Sequence, residues 1–187
     1  MELRLSDSEL IGKILSGDQV AMRILIDRHR NYAFTIALRV LGSREEAEEV
    51  AQDSFIKAMR SLSKFKNDSK FTTWFYRIVF NTAVSRKRKK KLSTEEITDH
   101  NISLGVENHH SLYSNEQSKY LNMALSRLRE EDNLVLTFYY LKELSMEEIS
   151  EITGHSPNTL KVKLHRARKR LAEVLRDLLK EEVNLLL

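Results

Sequence analysis

The residues that can stop a helix are few in this chain, and they stand where helices should end. Among 187 residues there are five glycines and one proline, which is typical of a helix-rich protein and unlike a β-sandwich or a disordered tail. Gly17 and Gly42 each follow a segment that opens with a helix-capping residue, Ser6 and Asp18 respectively. We therefore predict an all-α fold.

Charge divides the chain into three parts. Residues 1–91 contain 19 basic and 11 acidic residues, residues 92–117 contain five acidic and no basic residues, and residues 118–187 contain 12 basic and 11 acidic residues. The middle part is rich in Ser, Asn, His and Thr and has no sustained helical period, as expected for a linker. We predict two small helical domains, residues 1–91 and 118–187, joined by an acidic linker.

Several classes of protein are disfavoured by composition. The absence of cysteine excludes disulfides and thiolate metal sites, and we expect neither a metal nor a cofactor. Residues 1–10 lack the basic-then-apolar pattern of a signal peptide, and no uncharged apolar run approaches the roughly 20 residues that span a bilayer. We therefore expect a cytoplasmic protein without membrane insertion.

The third predicted helix, Arg44 to Leu62, has two contrasting sides. Its small and apolar residues form one stripe that should face the core: Ala47, Val50, Ala51, Ser54, Phe55, Ala58 and Leu62. The other side carries Glu49, Gln52, Asp53, Ile56 and Arg60. An isoleucine on this mostly acidic side indicates either a docking surface for another protein or a solvated surface with one stray apolar residue.

Aromatic residues lead directly into cations in the fourth predicted helix, Phe71 to Lys91. One side should pack inward and contains Phe71, Phe75, Ile78, Val79 and Thr82. The residues expected to lie away from the core are Tyr76, Phe80, Asn81, Val84 and Arg88. This helix is therefore expected to present some aromatic rings to solvent.

Exposed aromatic rings stack on unpaired bases for about 1–3 kcal/mol each, while neighbouring cations follow the phosphates. The fourth helix thus favours single-stranded nucleic acid. Trp74 and Phe75 have an alternative role as ordinary core residues. The run Arg86 to Lys91 has an alternative role as a solvated helix end placed favourably against the helix dipole, although six consecutive cations favour a polyanion.

The strongest pattern predicts a helix-turn-helix near the C-terminus. Ser145 and Glu148 form a capping box, Gly154 ends the first helix, and Ser156-Pro157 opens the second. The second helix has an apolar stripe: Leu160, Leu164, Ala167, Leu171, Val174, Leu175 and Leu178. Its opposite side carries amide and cationic groups suited to the major groove: Asn158, Lys161, Val162, His165, Arg166 and Lys169. The alternative is a helical hairpin with a charged outer side.

Three stretches resemble the extracytoplasmic-function (ECF) group of RNA polymerase sigma factors, in the sigma-70 family. Arg44 to Phe55 resembles the group's region 2.2, Trp74 to Asn81 resembles regions 2.3–2.4, and Ser145 to Leu171 resembles region 4.2. The stretches occur in the family's order and cover nearly the whole chain. The resemblance implies an alternative sigma factor that binds core RNA polymerase, directs promoter-specific transcription initiation and catalyses nothing itself.

The resemblance also implies roles for particular residues. Region 2.2 of the family docks on the clamp helices of the polymerase β′ subunit, a role that falls here to Glu49, Gln52, Asp53 and Ile56. Recognition and opening of the minus-10 element, with capture of a flipped base, falls to the loop before Trp74 and the helix after it: Lys64, Lys66, Lys70, Trp74, Arg77, Asn81, Arg86 and Arg88.

Reading of the minus-35 element as duplex DNA falls to the second helix of the helix-turn-helix. The implied base-contacting residues are Lys161, Val162, His165 and Arg166, those on phosphate are Lys163 and Lys169, and Asn158 is a further implied contact of the minus-35 element. Further implied partners are the polymerase β flap, promoter DNA and an anti-sigma factor that wraps both domains. The acidic linker resembles the family segment that threads through the polymerase toward the RNA exit path.

The sequence departs from the family pattern at two places. Ser85 stands where the family often has Asp, and Val79-Phe80 stands where it often has Ala-Arg. Two other functions are alternatives to the one that the resemblance implies. A stand-alone helix-turn-helix regulator would leave residues 1–91 unexplained, and an enzyme would need a phosphate loop, a metal-ligand cluster or a nucleophile-base pair, none of which the sequence contains.

Overall fold

The structure, a computed structural model, describes residues 5–93, 116–141 and 143–186. Within these ranges it is helical and contains no β-strand, so the all-α prediction is confirmed. The helices in chain order are α1 (Asp7–Leu15), α2 (Gln19–Leu41), α3 (Arg44–Ser61), α4 (Phe71–Ser93), α5 (Glu116–Arg127), α6 (Glu130–Leu136), α7 (Met146–Thr153) and α8 (Pro157–Leu186).

The helices form two compact units. The first unit contains α1 to α4, and the second contains α5, α6, α8 and most of α7. A short 3₁₀ turn, Leu62–Lys64, follows α3, and a π-helical turn, Thr137–Leu141, follows α6. The predicted linker lies mostly outside the described residues: α4 continues to Ser93 and α5 begins at Glu116.

Capping side chains set the helix boundaries of the first unit. Ser6 and Glu9 form the predicted capping box, in which the Ser6 backbone N–H donates to the Glu9 carboxylate at 2.7 Å. Asp18 accepts two backbone N–H bonds from the first turn of α2, at 2.8 and 3.0 Å. Gly42 ends α2 with φ of 73°, a left-handed conformation that favours glycine.

The core of the first unit lies where α2, α3 and α4 pack on one another. The apolar stripe predicted for α3 is buried along its whole length. Phe71 and Phe75 of α4 stack at 5.6 Å between ring centroids, and Phe55 of α3 lies 4.6 Å from Phe75. Aromatic burial therefore joins α4 to α3 and contributes a large share of the core.

The prediction that Tyr76 lies away from the core is wrong. Tyr76 is fully buried, and its ring lies 6.3 Å from that of His29 on α2. Helix α4 contacts two helices rather than one, so its buried arc is wider than a single stripe and includes Thr73 and Ala83 as well. Burial raises the pKa of the Tyr76 hydroxyl.

The predicted cap and glycine signals of the second unit are all present. Ser145 and Glu148 form a capping box, Gly154 ends α7 with φ of 75°, and Ser156 accepts the Thr159 backbone N–H at 3.3 Å as α8 begins. The predicted stripe of α8 faces the core, with Leu160, Leu164, Ala167 and Leu178 buried. Helix α8 packs against α5 and α6 through this side.

An ion cluster fastens α1 to α2 in the first unit. The Asp7 carboxylate pairs with Arg28 at 2.6 Å and with the buried His29 at 2.9 Å. Burial of Asp7 opposes its ionisation, but the hydrogen bond and charge of His29, followed by those of Arg28, outweigh burial and lower the pKa of Asp7. The cluster therefore stabilises the fold only while Asp7 is ionised.

We expect Asp7→Asn to lower the free energy of unfolding by about 1–3 kcal/mol at neutral pH, because the amide cannot replace two charge-assisted hydrogen bonds. The folded-state pKa of Asp7 lies below its ordinary value of 3.8, so this stability is present above that pH and is lost as the pH falls through the lowered pKa. Urea unfolding followed by circular dichroism, from neutral to strongly acidic pH, measures both effects.

Asp27→Asn is the matched control. Asp27 pairs with Arg30 at 3.5 Å at the surface, where the side chains are 55% and 66% exposed, so we expect a change below about 0.5 kcal/mol. Equal losses in the two variants, or a loss from Asp7→Asn that persists in acid, would contradict the role given to this cluster.

Candidate protein-binding and nucleic-acid-binding surfaces

Four predicted polymerase-contacting residues form an exposed surface on α3. This surface, called the α3 surface below, consists of Glu49, Gln52, Asp53 and Ile56, all of which are exposed. Ile56 is 50% exposed, while the neighbouring Phe55 points into the core. The separation of sides follows from the helical period, because residues 3 or 4 apart share a side and adjacent residues do not.

The acidic side of α3 meets the basic end of α4. Glu49 forms an ion pair with Arg86, and Glu46 pairs with Lys90 at 3.2 Å. Lys57 of α3 also donates to the Thr82 hydroxyl at 3.1 Å. The structure thus joins Glu49, which was predicted to contact polymerase, to Arg86, which was predicted to contact DNA. Glu46, which pairs with Lys90, was not among the predicted site residues.

The loop between α3 and α4, residues 62–70, is called the lysine loop below. It carries exposed lysines on either side of an inward-facing aromatic ring. Lys64, Lys66 and Lys70 are exposed. Between them, Phe65 turns inward, with its ring 6.0 Å from Phe71 and 5.1 Å from Trp74. The aromatic contacts hold the loop on the first turn of α4 while its cations face solvent.

Trp74 combines the two roles that the sequence left open. Its ring is half-buried and lies 5.1 Å from Phe65 and 5.8 Å from Phe71. Phe75, by contrast, is fully buried and is a core residue. Part of the Trp74 ring therefore remains at the surface next to the lysine loop.

The outer side of α4 carries an amide and cations in one stripe. Arg77, Asn81 and Arg88 are exposed, and Val84, which is 41% exposed, lies among them. At about 100° per residue these four positions fall within about 60° of one another. This stripe lies on the side of α4 that does not pack on α2 and α3.

The outer side of α8 is exposed as predicted for a recognition helix. This surface, called the α8 surface below, consists of Asn158, Lys161, Val162, His165, Arg166 and Lys169, all exposed. Val162 is 50% exposed and is surrounded by polar and cationic neighbours. Amide, cation and methyl groups together can distinguish guanine, adenine and thymine in the major groove.

Lys163 differs from the other predicted contacts of α8. It is half-buried, pairs with Glu131 of α6 at 2.7 Å and lies 3.3 Å from His155 Nε2. The hydrogen bond from Lys163, together with its charge, lowers the pKa of Glu131. Sequence analysis missed Glu131, because a contact between α6 and α8 has no signal in the helical period of either helix.

A second contact that the sequence analysis missed joins α8 to the π-helical turn. The Arg168 guanidinium lies 5.3 Å from the ring centroids of both Tyr139 and Tyr140, a geometry of cation–π attraction. Tyr140 is 53% exposed. The pair of consecutive tyrosines was the only signal for this cluster in the sequence.

Within the described ranges, no group of three or more His, Asp or Glu residues is placed to hold a metal ion. Nor does any helix in the part of the chain that the structure describes have the length and apolar character needed to cross a membrane.

Two family models match the chain, one in each half. The model described as Sigma-70 region 2 matches residues 25–92, and the model described as Sigma-70, region 4 matches residues 118–171. The first match includes the α3 surface and the outer stripe of α4. The second includes the α8 surface.

Curated relatives match over nearly the full length. The ECF RNA polymerase sigma factor SigW of Bacillus subtilis is 33% identical over 90% of this chain and 96% of its own length. The RNA polymerase sigma-H factor of Pseudomonas aeruginosa is 28% identical over 94% of this chain and 96% of its own length.

Solved structures show the same fold. The sigma factor RpoE of Bartonella quintana, in complex with the anti-sigma factor NepR, has a TM-score of 0.67 and is 23% identical, over 81% of this chain and 94% of that chain. CnrH, in complex with the cytosolic domain of CnrY, has a TM-score of 0.61 and is 22% identical, over 91% of this chain and 97% of that chain.

Substitutions on the two sides of α3 and of α8 test the separation of buried and exposed residues. We expect Phe55→Ala to lower the free energy of unfolding by about 3–5 kcal/mol and Leu164→Ala by about 2–5 kcal/mol, because each leaves a cavity. Ile56→Ala and Val162→Ala should change it by less than about 0.5 kcal/mol. Chemical denaturation of the four variants measures this, and a loss at Ile56 as large as that at Phe55 would place Ile56 in the core.

Proposed function

This chain belongs to the ECF sigma factors of RNA polymerase, and from that membership we propose how its two helical units divide the work of a specificity subunit. As an alternative sigma factor it directs promoter-specific transcription initiation. We assign residues 1–91 to polymerase binding and the minus-10 element, residues 92–117 to a linker, and residues 118–187 to the minus-35 element. The chain itself catalyses nothing in this proposal and acts in the cytoplasm, with polymerase and promoter DNA.

The α3 surface docks on the β′ clamp helices of core polymerase. The support for this assignment is Ile56, an apolar side chain half-exposed among the acidic and amide groups of Glu49, Gln52 and Asp53. Covering the exposed half of Ile56 would contribute on the order of 1 kcal/mol. The carboxylates around it would set orientation and association rate by pairing with cations of the clamp.

The loop and α4 hold the melted minus-10 element. Extruding a base costs a few kcal/mol, so a prepared surface must offset that cost. The half-buried ring of Trp74 contacts Phe65 in the loop that carries Lys64, Lys66 and Lys70, which places a stacking group near cations that can follow the strand. Arg77, Asn81 and Arg88 continue this surface along the outer side of α4.

The α8 surface reads the minus-35 element in the major groove. Arg166 and Lys161 are suited to guanine, Asn158 to adenine, and Val162 to the methyl group of thymine. His165 lies on the same exposed side, and Lys169 is placed for phosphate. Lys163 is already paired with the Glu131 carboxylate, so we expect it to contribute less than Lys169.

Two further partners follow from family membership. We propose that the second unit docks on the polymerase β flap, as its match to region 4 of the family implies. The solved relatives RpoE and CnrH are each bound to another protein, and RpoE is bound to an anti-sigma factor. We propose an anti-sigma factor as the regulator of this chain.

The observation that carries the proposal is the separation of two unlike surfaces onto two units. An acidic surface with an exposed isoleucine suits a protein partner, whereas an amide and cation surface on a capped recognition helix suits duplex DNA. A stand-alone helix-turn-helix regulator would use only the second of these. A sigma factor uses both.

Two substitutions separate the surfaces. We expect Asp53→Ala to weaken binding to core polymerase about tenfold and to leave minus-35 dependence unchanged. Arg166→Ala should spare core binding and lower transcription from minus-35-dependent promoters by a factor equivalent to about 1–3 kcal/mol, the value of one bidentate base contact. Core-binding titrations and run-off transcription from promoters with intact and scrambled minus-35 elements measure these effects.

Asp27→Ala serves as the charge control for Asp53→Ala. Asp27 is exposed on α2, outside the α3 surface, and its loss should leave both properties unchanged. Equal losses of core binding and minus-35 dependence in Asp53→Ala and Arg166→Ala would contradict the division of work between the two units.

A further inference from the structure

The six consecutive cations at the end of α4 do not share one environment. We propose that Arg88, Lys89 and Lys91 contact the phosphates of promoter DNA, while Arg86, Lys87 and Lys90 hold α4 on its neighbouring helices. This inference rests on the proposed function of the first unit. It divides the six cations into those that contact DNA and those that hold the helix. Neither the composition of the run nor the match to the family model specifies this division.

One side of the run is bound to the protein itself. Arg86 pairs with Glu49, and the Lys90 ammonium lies 3.2 and 3.3 Å from the two carboxylate oxygens of Glu46. Lys87 donates to the Val40 carbonyl in the last turn of α2, at 3.3 Å. Three cations thus fasten the end of α4 to α3 and to the C-terminus of α2, where the helix dipole also favours positive charge.

The other side of the run faces solvent. Arg88, Lys89 and Lys91 are exposed, and no ion pair joins any of the three to another residue in the described ranges. At about 100° per residue, Arg88 lies within about 20° of both Arg77 and Asn81, and Lys91 lies about 60° to one side. Arg88 and Lys91 therefore extend the outer stripe of α4, and Lys89 is exposed about 100° from Arg88 on the side away from Lys91.

Helix geometry explains the division. Residues 86, 87 and 90 are centred nearly opposite residues 88, 89 and 91 around the helix axis. Because α4 packs on α2 and α3, the first set lies toward those helices and is held by them, and the second set is the more open to a DNA strand. Alternation along the run is thus a consequence of one side of α4 being already packed.

The two sets should also differ in their electrostatic effect on DNA. A cation that neutralises a phosphate releases a condensed counterion and steepens the salt dependence of binding. A cation that is already paired with a carboxylate of the protein, such as Lys90 with Glu46, forms a nearly neutral pair. Such a pair releases few counterions when DNA binds. The salt dependence therefore reports which cations reach phosphate, and overall stability does not.

Four lysines of the run allow a matched comparison of two double variants. The double variants Lys89→Gln/Lys91→Gln and Lys87→Gln/Lys90→Gln remove the same charge by the same substitution within five residues. Each full-length variant is assembled with core polymerase and titrated with a fork-junction promoter at several salt concentrations. We expect the slope of log K against log salt to become shallower by about 1.5 for the first variant and by less than about 0.3 for the second.

Equal changes of slope in the two double variants, or a larger change in Lys87→Gln/Lys90→Gln, would overturn the division. Thermal unfolding shows whether each variant folds. If Lys87→Gln/Lys90→Gln does not fold, the single substitutions Lys89→Gln and Lys90→Gln repeat the comparison on adjacent residues, with an expected slope change of about 0.7–0.9 for the first and close to zero for the second.

Failure of this inference is distinguishable from failure of the proposed function. If the wild-type chain adds no promoter binding to core polymerase, the proposed function fails. If the wild type binds and the slope of log K against log salt decreases equally in both double variants, the sigma role stands. Only the division of the basic run is then wrong.

Discussion

Burial of the aromatic side of α4 is the constraint on which the first unit depends. Phe71, Phe75 and Tyr76 pack against α2 and α3, with Phe55 and His29 contributing rings from those helices. Once that side is fixed in the core, the direction of every other residue on α4 is fixed as well, because the helix is rigid. The outer stripe, the lysine loop above it and the two sides of the basic run all follow from this packing.

The same packing argument applies to the second unit. Buried Leu160, Leu164 and Ala167 hold α8 against its neighbours, and the α8 surface is what remains outside. In both units an exposed set of amide and cationic residues is therefore the complement of a packed side, so that the core holds the surface groups in place. An apolar residue, Val84 or Val162, stands exposed within each of these polar sets.

Ion pairs between helices reduce the number of unpaired cations on the surfaces. Glu46 and Glu49 pair with cations of α4, and Glu131 pairs with Lys163. Individually such exposed pairs contribute little to stability. Their larger consequence is that cations equivalent in the sequence become unequal in the structure, since some are paired with carboxylates of the protein and others, such as Arg88, face solvent.

The sequence by itself determined helices α1 to α4, α7 and α8, most of their caps, and the separation of sides on α3 and α8, because capping and helical period are local properties. It thereby identified the α3 and α8 surfaces and, through three motifs, the family. Only the tertiary structure decided the burial of Tyr76 and the partners of Arg86, Lys90 and Lys163. Those outcomes depend on a second helix that passes close by, and the period of one helix carries no information about which neighbour covers it.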